Sequence, residues 1–186
     1  MRYFLSILLL LGAVLTGGAQ PISLAPGGRP RPATGSPVVP LAKGMAAPAF
    51  RLINTSGQAV ALSDLRGKVM YLDFWFAGCK PCLAEAPAAA KLKQQFAGQE
   101  VVFAYISTET NVDDWKRSIE QHGLAGPTSV HLLDPEGRYA TRAYHIDGFP
   151  TYVLLDRRSR VWSGNAPRPS DGLPAVKMIA QALAAR

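Results

Sequence analysis

Residues 75–82 read Trp75-Phe76-Ala77-Gly78-Cys79-Lys80-Pro81-Cys82 and hold the only two cysteines of the 186-residue chain. The run Val69-Met70-Tyr71-Leu72-Asp73-Phe74 leads into them, and Leu83-Ala84-Glu85-Ala86, Pro87 and Ala88-Ala89-Ala90-Lys91-Leu92-Lys93-Gln94-Gln95-Phe96 follow. The first run has the pattern of a strand buried on both faces, the second that of a helix. The cysteine pair therefore stands where a strand turns into a helix. The first helical turn carries unpaired N–H groups and the positive end of the helix dipole. A thiolate at Cys79 is stabilised there, and its pKa is expected below the ~8.5 of a free thiol. Lys80 adds a positive charge. Cys82, one turn on, is close enough to form a small disulfide ring with Cys79 and is expected to be the less exposed sulfur, which suits thiol–disulfide exchange. A zinc site would need about four ligands. No second C-x-x-C exists, and His122, His131 and His145 lack ligand spacing. A purely structural disulfide over so short a loop would stabilise little.

The segment from Asp73-Phe74-Trp75 to Cys79-Lys80-Pro81-Cys82, with Pro87 beyond it, resembles the active-site segment of the thioredoxin superfamily. A second stretch, Gly148-Phe149-Pro150-Thr151, followed by Tyr152-Val153-Leu154-Leu155-Asp156, resembles that family's cis-proline loop. Two motifs so far apart are more specific together than either alone. Upstream, residues 50–58 and 62–68 resemble the N-terminal extension of the TlpA/ResA branch, whose members are extracytoplasmic thiol–disulfide oxidoreductases. The resemblance covers residues 44 to 184.

The resemblance implies roles for the neighbouring residues. Asp73 sits in an otherwise apolar strand, where burial raises a carboxyl pKa. Near Cys82 it would pass the proton that exchange requires, as the matching aspartate does in thioredoxins. The alternative is an aspartate bonded to backbone or to Lys68. Glu85 completes the C-x-x-C-x-x-E-x-P pattern of the TlpA/ResA branch, where the glutamate tunes the cysteines. The alternative is a solvated helix glutamate. Lys80 and Glu85 would pull the Cys79 pKa in opposite directions. Trp75 either shields the site or is plain core. Gly78 stands where thioredoxins usually have tryptophan, so a more accessible Cys79 sulfur is expected. Pro150 is expected in the cis form, with a trans proline at a strand start as the alternative. Phe149, Pro150 and Thr151 would line the substrate site, the Phe149 backbone pairing with an extended substrate by strand addition. Tyr139, Tyr144, Trp115 and Trp162 either line a groove or are core.

Residues 1–19 place one positive charge before an apolar run and end in small residues, the layout of a secretory signal peptide. The run is short for a membrane span of ~20 residues, so it is read as a signal peptide or an N-terminal anchor. Residues 20–43 carry six prolines and several glycines and read as a flexible linker. Residues 44–186 suffice for one domain with a single core. The net charge of +7 is not gathered in a run, and no nucleic-acid module is present.

Within the domain the expected elements are a hairpin over residues 49–53 and 59–62, a helical turn at 63–65, buried strands at 69–75 and 101–107, and a helix over 80–96 bent at Pro87. A helix from Asn111 or Val112 to His122, ended by Gly123, a strand at 130–133, a short helix over 138–144 and a hairpin over 151–156 and 161–162 follow. A last helix spans 173–184, with Ser170 as its N-cap. Strands alternating with helices give an α/β, thioredoxin-like fold. Its central mixed sheet carries an N-terminal hairpin extension and a central α/β insertion. The turn 156–160 lacks the glycine the family often has there.

The functional expectation is an enzyme without cofactor: a thiol–disulfide oxidoreductase at the periplasm or the outer face of the cytoplasmic membrane. It would reduce disulfides of exported proteins, with cytochrome c maturation as the family's frequent service. Its partners would be disulfide or dithiol proteins and a membrane thiol-reducing transporter as electron donor. Three rivals remain. A disulfide oxidase or isomerase shares the chemistry and differs in potential. A peroxiredoxin-type peroxidase normally has threonine where this chain has Phe76. A copper-handling module usually has three residues between its cysteines and a distant histidine.

Overall fold

The computed structural model describes residues 41–185. The signal or anchor segment 1–19, and the linker as far as residue 40, lie outside the described residues. Among the described residues no helix is long and apolar enough to cross a membrane. Seven strands, β1 (Arg51–Asn54), β2 (Ala59–Ala61), β3 (Val69–Trp75), β4 (Val101–Ser107), β5 (Ser129–Leu133), β6 (Thr151–Leu155) and β7 (Val161–Ser163), form one sheet in the order β2-β1-β5-β4-β3-β6-β7. The β3, β4 and β5 strands run parallel, and the other pairings are antiparallel. Among the described residues the α-helices α1 (Lys80–Ala84), α2 (Ala86–Gln95), α3 (Val112–Gln121), α4 (Ala140–Ala143) and α5 (Leu173–Ala184) flank the sheet, giving an α/β, thioredoxin-like architecture.

Every residue of β3 and β4 is buried, because the sheet is covered on both faces. Strand alternation divides the core in two. Val69, Tyr71 and Trp75 join Cys79, Cys82, Leu92, Trp115 and Ile179 beneath α2, α3 and α5. Met70, Leu72 and Phe74 join Leu62, Ala140 and Tyr144 on the opposite face. Asp73 belongs by alternation to the cysteine face. Trp115 and Tyr144 are core; Tyr139 is 61% exposed and belongs to no core.

Three local expectations are corrected. The helix over 80–96 is interrupted at Glu85 and continues as α2, with Pro87 at its second position. A proline inside a continuous helix would remove a hydrogen bond and press on the carbonyl four residues back. The helix over 138–144 shortens to α4 and follows a 3-10 turn, Pro135–Gly137. The buried Asp134 carboxylate draws in the N–H groups of Tyr139 (2.9 Å) and Thr141 (2.7 Å) and the Thr141 hydroxyl (2.7 Å), which fixes where the helix starts. The N-cap position of α5 is Gly172, not Ser170. Ser170 lies in a 3-10 turn, Pro169–Asp171, and its hydrogen bonds go elsewhere.

Residues 41–43, assigned by sequence to the linker, lie against β7. Gly44 N–H donates to Val161 O (2.7 Å), Lys43 Nζ sits 3.9 Å from the Trp162 ring centre, and Leu41 packs onto Gly164. The turn before β7 does without glycine because Ser159 takes the left-handed conformation (φ 58°) and Asp156 Oδ1 accepts the N–H groups of Arg158 and Arg160. Ser159 Oγ is buried without a partner among the described residues. Ser159→Gly therefore removes both a strained φ and an unpaired hydroxyl, and is expected to stabilise the fold by about 1 kcal/mol. Urea unfolding checks this; an unchanged or lower midpoint would show that neither feature costs stability.

Candidate active site

Cys79 is the N-cap of α1, and its Sγ accepts the Cys82 N–H at 3.2 Å. The two cysteines form a disulfide with their Cα atoms 5.3 Å apart. Pro81 occupies the first helical turn, where its missing N–H leaves no gap. Lys80 and Pro81 are exposed. The expected contrast in sulfur exposure is absent, since Cys79 is 4% and Cys82 6% exposed. The Cys79 sulfur turns onto the helix end and into the apolar cluster shared with Trp75, rather than outward. Gly78 is itself open, but this does not uncover the Cys79 sulfur. Trp75 is almost fully buried in the same cluster, so it is core and lining at once.

The second motif comes to the first through aromatic contact. Phe149 meets Phe76 edge-to-face at 5.4 Å, and both pack on the cluster that contains the disulfide. The Phe149–Pro150 peptide is cis and Pro150 is buried. Thr151 Oγ1 donates to Gly148 O at 2.7 Å, closing the loop before β6 enters the sheet beside β3.

Asp73 is 8% exposed, and burial, reinforced by the negative charge of Glu85, pushes its carboxyl up to about 8. The Tyr152 hydroxyl, opposite it in register, and Lys93 pull the other way but do not reverse the shift. Asp73 Oδ1 has no hydrogen-bond partner, and no ion pair joins Asp73 to Lys68, among the described residues. Tyr71 stacks on Tyr152 at 5.2 Å, and burial raises both phenols.

Glu85 is buried at the junction of α1 and α2, which excludes a solvated glutamate. Its two oxygens accept the Ser170 N–H (2.9 Å) and hydroxyl (2.8 Å). Two participants escaped sequence reasoning. Ser170 carries no signal, because its partner is 85 positions away. Lys93 did carry one, a lysine four residues after Ala89 on the apolar stripe of α2. Its Nζ donates to Leu124 O (2.8 Å) and Ser129 Oγ (3.3 Å), and burial lowers its pKa against the pull of Asp73. His131 stacks on Tyr105 at 4.8 Å, and burial drives its imidazole down to about 4. No group of three or more His, Cys, Asp or Glu side chains gathers among the described residues to hold a metal.

The family model described as Redoxin matches residues 42–182, which includes both motifs and the whole sheet. The chain belongs to the Redoxin family. It is 33% identical over 122 residues to the thioredoxin-like protein YneN of Bacillus subtilis (strain 168), covering 64% of this chain and 69% of that one. It is 30% identical over 121 residues to the thiol-disulfide oxidoreductase ResA of the same organism, covering 65% of each. The matches thus span about two thirds of these relatives' length. The thioredoxin domain of a thiol-disulfide oxidoreductase from Bacteroides vulgatus superposes with a TM-score of 0.68 at 29% identity, over 77% of this chain and 99% of that one. A thiol:disulfide interchange protein from Bacteroides sp. gives a TM-score of 0.66 at 28% identity, over 78% and 92%. This Redoxin protein is a thioredoxin-like thiol–disulfide oxidoreductase of the TlpA/ResA type.

Proposed function

We propose that the protein works outside the cytoplasm as a reductase of protein disulfides, receiving electrons from a membrane thiol-reducing transporter. The observation that carries the reading is the Cys79 sulfur at the N-cap of α1, hydrogen-bonded by Cys82 N–H, on the face of the sheet that holds Asp73. A thiolate at Cys79 attacks one sulfur of a substrate disulfide and the other leaves as a thiolate, giving a mixed disulfide. The Cys82 thiol then passes its proton to the Asp73 carboxylate and attacks the Cys79 sulfur. The second substrate sulfur departs as a thiolate and the Cys79–Cys82 disulfide remains. Two electrons have moved from protein to substrate. A carboxyl that titrates near 8 is matched to a thiol's ~8.5, so its ionised form can take the Cys82 proton, and that form grows as pH rises toward 8.

Lys80, Glu85 and Asp73 tune the pair in this reading, while Trp75, Phe149, Pro150 and Thr151 form the surface that meets the substrate. The export layout of residues 1–19 supports an extracytoplasmic site of action, with that segment either removed or kept as a tether. The TlpA/ResA resemblance supports exported proteins as substrates, the haem-attachment cysteines of cytochromes c among them. The deciding measurement is the reduction potential of the Cys79–Cys82 pair, by equilibration in thiol–disulfide buffers. A value near that of thioredoxin, about −270 mV, is expected. A value near −120 mV would make the protein a disulfide donor. Rapid turnover of hydrogen peroxide would make it a peroxidase.

A further inference from the structure

Glu85 is a buried acidic side chain. Among the described residues it enters no salt bridge, and both hydrogen bonds to its carboxylate come from one residue, Ser170. A buried carboxylate without partners is costly, because it loses hydration and gains nothing in return. Ser170 itself is on the surface. Its N–H and hydroxyl point inward from the turn Pro169–Asp171, and the strand-like stretch before that turn is fastened to the same face of the sheet. Ala166 N–H donates to Tyr152 O (2.8 Å), and the Tyr71 hydroxyl donates to Pro167 O. Tyr71 and Tyr152 flank Asp73, the first on its own strand and the second opposite it in register. Glu85 N–H in turn donates to Cys82 O at 3.1 Å. The residues that hold Glu85 are thus built onto the framework that surrounds the proton acceptor and the cysteine pair.

We propose that Ser170 is a positioning residue for thiol–disulfide exchange: from the turn ahead of α5 it fixes the Glu85 carboxylate on the sheet face shared by Asp73 and the Cys79–Cys82 pair. The proposal rests on the exchange mechanism above and adds to it a residue that no motif marks. Its physical consequence has one sign. Without the Ser170 hydroxyl, Glu85 keeps only the Ser170 N–H and is freer to turn away toward solvent. That takes negative charge from beside Asp73, and the Asp73 carboxyl then ionises more easily.

The test is the titration of the Asp73 carboxyl in the oxidised full chain, followed by carbon NMR and assigned with Asp73→Asn. Glu85→Gln is expected to move the Asp73 midpoint down by about one pH unit, the size of losing one partly screened charge. Ser170→Ala is expected to move it in the same direction by at least about half as much, and Ser170→Thr, which keeps the hydroxyl, to leave it in place. The Ser170→Ala/Glu85→Gln pair is expected to go no further than Glu85→Gln alone, because both act through one carboxylate. An unmoved midpoint in Ser170→Ala, with only the urea midpoint changed, would reduce Ser170 to a structural tie and overturn the proposal. An unmoved midpoint in Glu85→Gln would overturn it as well. Neither result depends on catalysis. Failure of the reductase reading would show separately, as an unaltered protein that does not reduce disulfides.

Discussion

Replacing Cys79 by serine is expected to cut reduction of a protein disulfide, such as those of insulin, by about a thousandfold or more, since the attacking atom is gone. Cys82→Ser has a different signature. The attack by Cys79 still takes place, but no second sulfur resolves the adduct. The variant should accumulate as a one-to-one mixed disulfide with its substrate, visible by mass spectrometry under non-reducing conditions. The asymmetry follows from the helix start, where Cys79 Sγ occupies the N-cap and receives the Cys82 N–H. Backbone donors and the helix dipole at that place favour an anion. The two residues are almost equally covered in the disulfide form, so exposure does not distinguish them. If Cys79→Ser trapped substrate and Cys82→Ser did not, the roles would be exchanged.

Asp73→Asn is expected to produce the largest change in stability, and to do so only at high pH. The folded-state carboxyl titrates near 8, against 3.8 for a free aspartate. Between these values the folded protein holds a proton that the unfolded chain has released. Stability therefore falls as pH rises through that window and levels off above it. The full shift corresponds to about 6 kcal/mol, as an upper bound. Asparagine has the same shape and no charge, so it should add about 3 kcal/mol or more to the unfolding free energy at pH 9 and little at pH 4. His131 contributes with the opposite sign. Its folded pKa near 4 lies below the usual value of 6.5, so its share of stability grows as pH rises from 4 to 6.5. In the wild type the two trends offset each other below pH 6.5, and the decline should show mainly from 6.5 to 8. In Asp73→Asn the His131 trend should stand alone. Urea unfolding at pH 4.5, 7 and 9 checks both; an asparagine variant less stable than wild type at pH 9 would contradict the buried-acid account. Under the proposed mechanism the same variant should prolong the mixed disulfide, because the Cys82 proton would lose its acceptor.

Much of the fold was legible because its signals are local. The strand over 69–75 and the strand over 101–107 are long apolar runs, and their bounds match β3 and β4. The helix over 173–184 matches α5. Asn111 and Gly123 bracket α3 as a cap and a left-handed stop do. What was misread had its cause elsewhere in the chain or in a side chain whose partners are not its neighbours. The late start of α4 is set by Asp134, buried and hydrogen-bonded to residues five and seven positions on. Ser170 looks like an N-cap by type and place, yet its donors are taken by Glu85 across 85 residues.

Residue order alone carries the reactive groups: two cysteines at a strand-to-helix turn, an acid in the preceding buried strand, and a proline loop far downstream. These are matters of residue type and spacing, which covalent order preserves. Tertiary structure decided the electrostatics. Only packing shows that Asp73 is desolvated beside Glu85, that Lys93 reaches inward from α2, and that the Cys79 sulfur is covered rather than open. The cost of a charge depends on the water it has lost and on the charges brought near it, and both are fixed when distant segments close over the site.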